Sequence, residues 1–475
     1  MITPTKSMPS LRIALLLAVI LPRTALAHDG TTGFTGACIG PVPIEFILFG
    51  IVLAGVAMFH LHTLRIAFFG AIGIALYKII ASPFGTGDGV GGFGLHLAHE
   101  WVILINLLLL LVGFVLLARH FEASQIPAVL PRFLPDGWLG CFALLALVFV
   151  LSSFLDNIAA AMIGGAIAHT VFKGKVHIAY LAGLVAAANA GGAGSVIGDT
   201  TTTMMWIAGI APLEVAHATA GSIVALLIFG VPASLTQQRY SPIQQHASPD
   251  ARVDWMRVGA VGAILAAAVG TNVLINTRFS ELADSFPFLG AAVWGALLLT
   301  AGLRKPEWKL VPNALKSSVF LLSLVLIASM MPVERLPTAS WLSALGLGFA
   351  SAVFDNIPLT ALALKQGGYD WGVLAYAVGF GGSMIWFGSS AGVALSSMYP
   401  DARYAGRWLR QAWYVPVAYV AGFFVVVLLL GFNPGSTPRN SQASAVRSHT
   451  PETVLIAPAK AATVSLTDTI AGSRR

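Results

Sequence analysis

The chain has 475 residues, of which 57% are hydrophobic and only 10% charged, with a mean hydropathy of +0.81. So little charge cannot cover the surface of a water-soluble globule, and apolar runs of about 20 residues recur along most of the length, which makes one polytopic membrane domain a better reading than several soluble ones. The 27 Lys and Arg exceed the 20 Asp and Glu by +7, but they sit in short loops between apolar spans and not on a basic face with interleaved aromatics, which sets nucleic acid aside as a partner. Two cysteines, Cys38 and Cys141, are too few for a disulfide framework, a zinc cluster or an iron–sulfur site.

In chain order, Lys6 and Arg12, the apolar run from Ile13 to Leu21 and an Ala-Leu-Ala ending at Ala27 predict a Sec-type leader over 1–27, either cleaved or kept as a first helix. Candidate spans follow at about 42–62, 64–82, 98–118, 138–170, 176–210, 213–235, 253–276, 287–303, 316–332, 340–366, 369–400 and 411–431. Several are too long and too interrupted for simple helices. The interruptions fall at Asp156-Asn157, at the glycine cluster Gly191, Gly192 and Gly198, at Asp355-Asn356, and at Gly381, Gly382 and Gly388. Irregular backbone at membrane depth is tolerated only where protein buries it or a cavity wets it, so these breaks mark the expected site.

A polar loop (236–252) divides the chain into a first half over 42–235 and a second over 253–431, and the halves match. SSFLDNIAAAMIGGAIA (152–168) and NAGGAGSVIGDTTTT (189–203) correspond to SAVFDNIPLTALAL (351–364) and GFGGSMIWFGSSAG (379–392). If each Asp-Asn segment is a re-entrant hairpin and His28 lies outside, about fifteen of the 27 basic residues, among them Arg65, Arg119, Arg304 and Arg403, fall in inside loops. Only Lys78, Arg278, Arg335 and Lys365 stay in outside connections before the tail. That asymmetry satisfies the positive-inside rule and makes the repeats inverted. The expected architecture is therefore all-α and polytopic, with two inverted-topology repeats, each holding a re-entrant hairpin and a discontinuous transmembrane helix. With the leader, this places the chain as a multi-pass protein of a bacterial inner membrane. Residues 433–475, rich in Ser, Thr, Pro and Ala, read as a disordered tail.

Asp156, Asp199 and Asp355 lie inside apolar spans with no Lys or Arg in the same motifs. Each costs several kcal/mol, by order of magnitude, unless it faces a cavity or an ion. Around them stand Asn157, Asn189, Asn356, Ser195, Thr200, Thr201, Ser383, Ser389 and Ser390, oxygen donors without positive charge. Hard alkali cations take oxygen ligands, including carbonyls freed by a broken helix. An anion would be met by half-helix N-termini and a Lys or Arg clamp, and these carboxylates would repel it. The same carboxylates can bind protons, so a cation and a proton competing for one site are enough for antiport. Thr202 and Thr203 are read as helix hydroxyls bonded back to the preceding turn.

Weaker signals are read conservatively. His96, His99 and Glu100 lie at the mouth of a span, where a metal or proton relay is conceivable, but Ile103 occupies the second His position of an HExxH motif. The glycines from Gly85 to Gly94 lack the strand and the Gly-Lys-Ser/Thr of a phosphate loop, and read as a loop. Asn106, Asn272 and Asn276 suit interhelical hydrogen bonds. An intramembrane aspartyl protease is disfavoured because Tyr369-Asp370 follows Gly198-Asp199 in the chain and no Pro-Ala-Leu element exists.

At these motifs the sequence resembles the NhaD-type sodium/proton antiporters of the ion transporter superfamily, which also holds arsenite and citrate/dicarboxylate carriers. NAGGAGSVIGDTTTTMMW (189–206) looks like the family's Asn-Ala-Gly-Gly-Ala-Trp-Ser-Pro-Ile-Gly-Asp block, and FDNIPLTALAL with LAYAVGFGGSMIWFGSSAGVA resembles its second-half blocks. The resemblance runs over about 42–430. It implies cation or proton roles for Asp156, Asn157, Asn189, Ser195, Asp199, Thr200, Asp355, Asn356, Ser383 and Ser389. It also implies sodium or lithium and protons as substrates, no cofactor or transition metal, and a homodimer in the lipid bilayer that works by alternating access. Gly194 stands where the family has Trp and Val196 where it has Pro, so the first broken helix departs from the family at its tip. The competing expectation is a carrier of citrate, a dicarboxylate or arsenite.

Overall fold

The computed structural model describes residues 36–59, 62–129, 133–244, 252–279, 282, 284–435 and 438. The expected leader and the tail beyond residue 438 lie outside them. Apart from a two-stranded antiparallel pair, β1 (Cys38–Ile39) and β2 (Val42–Pro43), the regular structure among the described residues is helical. In a low-dielectric medium a helix satisfies its own backbone hydrogen bonds, so apolar runs of this length have little alternative. Among the described residues five helical stretches are long and apolar enough to cross a membrane: Thr63–Ala81, Gly89–Ala123, Pro212–Tyr240, Trp255–Ile275 and Trp308–Ser329. A sixth forms if Ala405–Gln411 and Tyr414–Leu430, bent by 63° at their break, are one span. Shorter apolar helices fill the rest. This is a multi-pass, mostly helical membrane protein.

The helices used below are α1 (Ile44–Met58), α2 (Thr63–Ala81), α3 (Gly89–Ala123), α4 (Ile126–Val129), α5 (Trp138–Ser152), α6 (Asn157–Val171), α7 (Ile178–Ala193), α8 (Thr200–Ile207), α9 (Pro212–Ala216) and α10 (Ala218–Tyr240). The second half continues with α11 (Trp255–Arg278), α12 (Phe288–Thr300), α13 (Val311–Ser329), α14 (Trp341–Ser351), α15 (Asn356–Gln366), α16 (Trp371–Gly381), α17 (Ser390–Met398), α18 (Ala405–Gln411) and α19 (Tyr414–Leu430).

Three sequence expectations shift here. The glycine run read as a loop is helical from Gly89 onward, and the missing side chain at Gly92 lets its first turn close on the carbonyl of Gly87, where a Cβ would stand 2.2 Å from the oxygen. The polar connection begins only after Tyr240, since Gln237 is buried and ties α10 to the α6–α7 turn: its Oε1 accepts from His177 N at 2.8 Å and its Nε2 donates to Lys175 O at 3.0 Å. Lys78, counted as a charge in an outside connection, lies within α2 at 4% exposure, paired with Glu45. At the other end of the connection Asp254 caps α11, accepting from Met256 N and Arg257 N, and pairs with Arg304 at 2.8 Å. That guanidinium holds the Asp254 carboxyl below the usual carboxylate range.

The four interrupted spans resolve into α5–α6, α7–α8, α14–α15 and α16–α17. α7 and α16 are buried along nearly their whole length and pack on each other. Around this central pair the halves cross over, with α6 packing on α17 and α8 on α15. The glycines of the breaks make this possible, and they do so alike in both halves. A Cβ on Gly191 would stand 2.0 Å from Phe149 O, and one on Gly381 would stand 2.2 Å from Gly348 O. A Cβ on Gly192 would stand 2.6 Å from Gly198 O, and one on Gly382 would stand 2.7 Å from Gly388 O. Gly198 and Gly388 press on the carbonyls of Ser152 and Ala352 at the ends of α5 and α14. Any side chain at these positions would push the broken backbones apart. α3 and α13 lie alongside this unit, and α2 and α12 pack on them from outside.

Candidate functional site

Each half-helix starts at a break, and each start is capped by a residue singled out in the sequence. Asp156 accepts from Ile158 N at 3.2 Å at the head of α6, and Asp355 from Ile357 N at 3.0 Å at the head of α15. Asp199 accepts from Thr201 N at 3.5 Å at the head of α8, and Ser389 from Gly392 N at 3.3 Å at the head of α17. Capping satisfies the first free N–H groups of a helix and sets a carboxylate against the positive end of its dipole. These N-termini are therefore already occupied by the protein's own oxygens.

Asp199 is the centre of the arrangement and is 2% exposed. Its Oδ1 accepts from Asn157 Nδ2 at 3.3 Å; its Oδ2 accepts from Asn356 Nδ2 at 3.3 Å and from Thr201 Oγ1 at 2.8 Å. The two asparagines come from the matching Asp-Asn motifs, so one carboxylate collects both halves of the molecule. Asn189 links the set onward. Its Oδ1 accepts from Asn157 at 3.1 Å, while its Nδ2 donates to Ser383 Oγ and Ser389 Oγ, both at 3.0 Å. Asp355 accepts from Ser390 Oγ at 3.4 Å. Thr200 is half-buried beside Asp199. The matched halves are unequal where it counts: the second carries Ser389 where the first has Asp199, and Gly379 where the first has Asn189. A Cβ on Gly379 would stand 3.3 Å from Asp199 Oδ2, so the small residue leaves the carboxylate its room.

No Lys or Arg forms an ion pair with Asp156, Asp199 or Asp355 among the described residues. Asp156 and Asp355 stand within electrostatic reach of Asp199, yet no group of three His, Cys, Asp or Glu side chains among the described residues is placed to hold one metal ion. The oxygens available to a cation are thus one central carboxylate, amide and hydroxyl oxygens, and backbone carbonyls at the breaks.

A cavity of about 470 Å³ opens on this cluster. Asp156, Asn157, Asp199, Thr200, Asn356 and Ser390 line one wall; Leu110, Phe114, Ala314 and Leu321 of α3 and α13 line the other. At its far end stand Arg119, Glu122 and Glu307, with Arg119 bridged to Glu122 at 2.9 Å and to Glu307 at 2.5 Å.

Nine of the ten site residues expected from the sequence fall in this cluster. Ser195 does not join it: its hydroxyl donates to Ser153 O at 2.6 Å and so ties the α7–α8 break to the α5–α6 break. Thr202 and Thr203 bond back to Asp199 O at 2.8 and 2.9 Å, as helix hydroxyls do. Thr201 and Ser390, present in the sequence only as nearby oxygen donors, touch the carboxylates directly. Arg119, Glu122 and Glu307 carry no motif, and only the tertiary fold brings them to the cavity.

No protein-family model matches the chain. It is 29% identical over 289 residues to sodium/proton antiporter 1 of Arabidopsis thaliana, a match covering 53% of this chain and 49% of the plant protein, so the chain spans about half the length of that relative. It is 24% identical over 336 residues to the Na(+)/H(+) antiporter NhaD of Halomonas elongata, covering 60% of this chain and 66% of that protein. Among solved structures, the YdaH transporter of Alcanivorax borkumensis aligns over 83% of this chain and all of its own at 12% identity, with a TM-score of 0.40, too low to support an argument. The curated relatives bear the names of transporters and not of enzymes, and the chain is a homologue of proteins named sodium/proton antiporters, NhaD among them.

Proposed function

We propose that the chain is a secondary active transporter that exchanges a monovalent cation, sodium or lithium, for protons across a bacterial inner membrane. The observation that carries this reading is Asp199: a buried carboxylate with no cationic partner among the described residues, held by both Asp-Asn motifs and lining a cavity. A dehydrated sodium ion beside it would take oxygens from Asp199, from the amides of Asn157 and Asn356 after they turn, and from Thr200 or Thr201. A proton on Asp199 would remove the charge that attracts the cation. Binding of the two is then mutually exclusive, and each cycle exchanges one for the other.

In this reading 42–235 and 253–431 are two inverted repeats, each with a re-entrant hairpin and a discontinuous helix, and the protein works as a homodimer. Alternating access would move the crossed half-helices against α3 and α13, since the cavity runs between these two groups. The carrier of citrate, a dicarboxylate or arsenite is disfavoured by the same geometry. Its anion would need free half-helix N-termini or a basic residue at the cluster, and here all four N-termini are capped by Asp156, Asp199, Asp355 and Ser389, while no Lys or Arg pairs with the three carboxylates among the described residues.

The test is reconstitution of the purified protein in liposomes that trap a pH dye. With an imposed proton gradient, addition of sodium or lithium moves protons, while potassium and citrate do not. Uptake of citrate without any cation-driven proton movement would overturn the reading.

A further inference from the structure

A second set of buried titratable groups lies outside the cavity. Glu45 of α1 is fully buried and Lys78 of α2 is 4% exposed, with Lys78 Nζ 4.0 Å from Glu45 Oε1. The same Oε1 accepts from Ser82 Oγ, while Glu45 Oε2 and the Tyr77 hydroxyl have no hydrogen-bond partner among the described residues. Phe84 joins this pair to α3: Lys78 Nζ stands 5.2 Å from its ring centroid, and the His96 ring centroid lies 5.8 Å from it. His96 is in turn 3.0 Å from Ser329 Oγ of α13. Glu100, 8% exposed, makes no hydrogen bond among the described residues. Lys365 at the end of α15 donates to Met331 O and lies within electrostatic reach of Lys78, Glu100 and Glu334. The remaining ionisable groups facing the cluster are His99 on α3 and Cys38 ahead of β2.

Two helices locate the cluster relative to the ion site. Along α3, Glu100 precedes Leu110 on the cavity wall by about 15 Å and Arg119 at the cavity's far end by about 28 Å, at about 1.5 Å per residue. Along α15, Lys365 lies about 14 Å from Asn356 at the ion site by the same rise. Both helices put the cluster on the side of the ion site away from the Arg119 end, about half a bilayer from it.

A pair built only to hold α1 on α2 would be expected to satisfy its polar atoms. Burying each ion costs several kcal/mol, by order of magnitude, and apolar residues of similar volume would serve stability as well or better. Here one carboxylate oxygen and one hydroxyl are left without partners beside a loosely spaced pair. We propose that Glu45 and Lys78, with His96, Glu100 and Lys365 around them, form a second proton-holding site through which protons pass between Asp199 and the end of the molecule opposite Arg119. One proton added at the free Oε2 turns the Glu45 carboxylate into the acid beside the ammonium; one lost from Lys78 Nζ leaves an amine beside the carboxylate. Each step changes the charge of the pair by one and breaks or forms only an O–H or N–H bond. His96, in contact with Phe84 and Ser329, and Glu100 carry the proton onward towards α15.

The proposal rests on the antiport reading for its purpose, so the test separates the two. The full-length protein is titrated without sodium while the infrared carbonyl stretch of protonated carboxyl groups is followed, in the wild type and in Glu45→Gln. Loss of one titrating band in the variant is expected; superimposable titrations would overturn the proposal whatever the protein transports. In liposomes, Glu45→Gln with Lys78→Met, which removes both charges together, is expected to keep sodium binding while slowing sodium-driven proton movement roughly tenfold or more. Exchange by this double variant at the wild-type rate and pH profile would also overturn it. Failure of the wild type to bind either sodium or lithium would refute the antiport reading, and the infrared titration would still decide the proton site.

Discussion

Asp199→Asn removes one negative charge and almost no volume. Unit charges 4 Å apart attract by about 4 kcal/mol at an effective dielectric of about 20, and a direct ligand lies closer than that. At about 1.4 kcal/mol per tenfold, losing this attraction lowers sodium affinity by roughly a thousandfold. Folding should suffer much less. The carboxylate now accepts from Asn157, Asn356 and Thr201, and the amide can keep some of these bonds once one asparagine turns. The bonds that are lost cost on the order of 1–3 kcal/mol, offset by no longer burying a charge. The assay is binding of radiolabelled sodium to purified protein, with thermal unfolding measured in parallel. The expected result is binding too weak to detect with a melting temperature within a few degrees of the wild type. An affinity within about threefold of the wild type, less than 1 kcal/mol, would refute the placement of the cation at Asp199.

Other consequences follow from the same contacts. Thr201→Val should weaken sodium binding by roughly tenfold or more, the worth of a hydrogen bond to a charged group, and Thr201→Ser should restore it; equal affinities in both variants would remove Thr201 from the site. Gly191→Ala and Gly381→Ala would each place a Cβ about 2 Å from a backbone oxygen, so both should fail to fold or lose about 3 kcal/mol or more, read by expression and thermal unfolding. Gly73→Ala, with nothing within 4 Å, should be neutral or stabilising by about 1 kcal/mol. Arg119→Gln breaks bridges whose partners, Glu122 and Glu307, are 34% and 44% exposed, so stability should change by less than about 1 kcal/mol, while the ionic-strength dependence of sodium-driven proton movement should change if this end of the cavity admits the ion.

Much of the candidate site was legible because polarity stands out in apolar spans. Asp156, Asp199 and Asp355 have no reason to be there unless something faces them, and the glycines Gly191, Gly198, Gly381 and Gly388 announce breaks that the fold uses for close backbone contact. Ser195 was not separable from Ser389 by sequence, because a hydroxyl at a helix break reads the same whether it meets an ion-site side chain or a neighbouring carbonyl. Thr201 was close to legible: it follows Asp199 by two residues, the offset at which a capping carboxylate meets the next turn. Lys78 illustrates the opposite limit. Near the end of a hydrophobic run it reads as a charge in a connection, and only the packing of α1 on α2 reveals that Glu45, 33 residues earlier, receives it inside the protein. The long span expected over 340–366 is two helices meeting at Asp355, as the Asp-Asn interruption implied.

The central claim is that a proton and a cation compete for Asp199, and proton release on sodium binding tests it most directly. Purified protein in weakly buffered detergent solution is given sodium while the pH is followed, over a series of starting pH values. The account predicts that sodium releases protons where the site is protonated, that acidification displaces bound sodium, and that Asp199→Asn releases none. Sodium binding with no proton release at any pH, or undiminished release from Asp199→Asn, would contradict it.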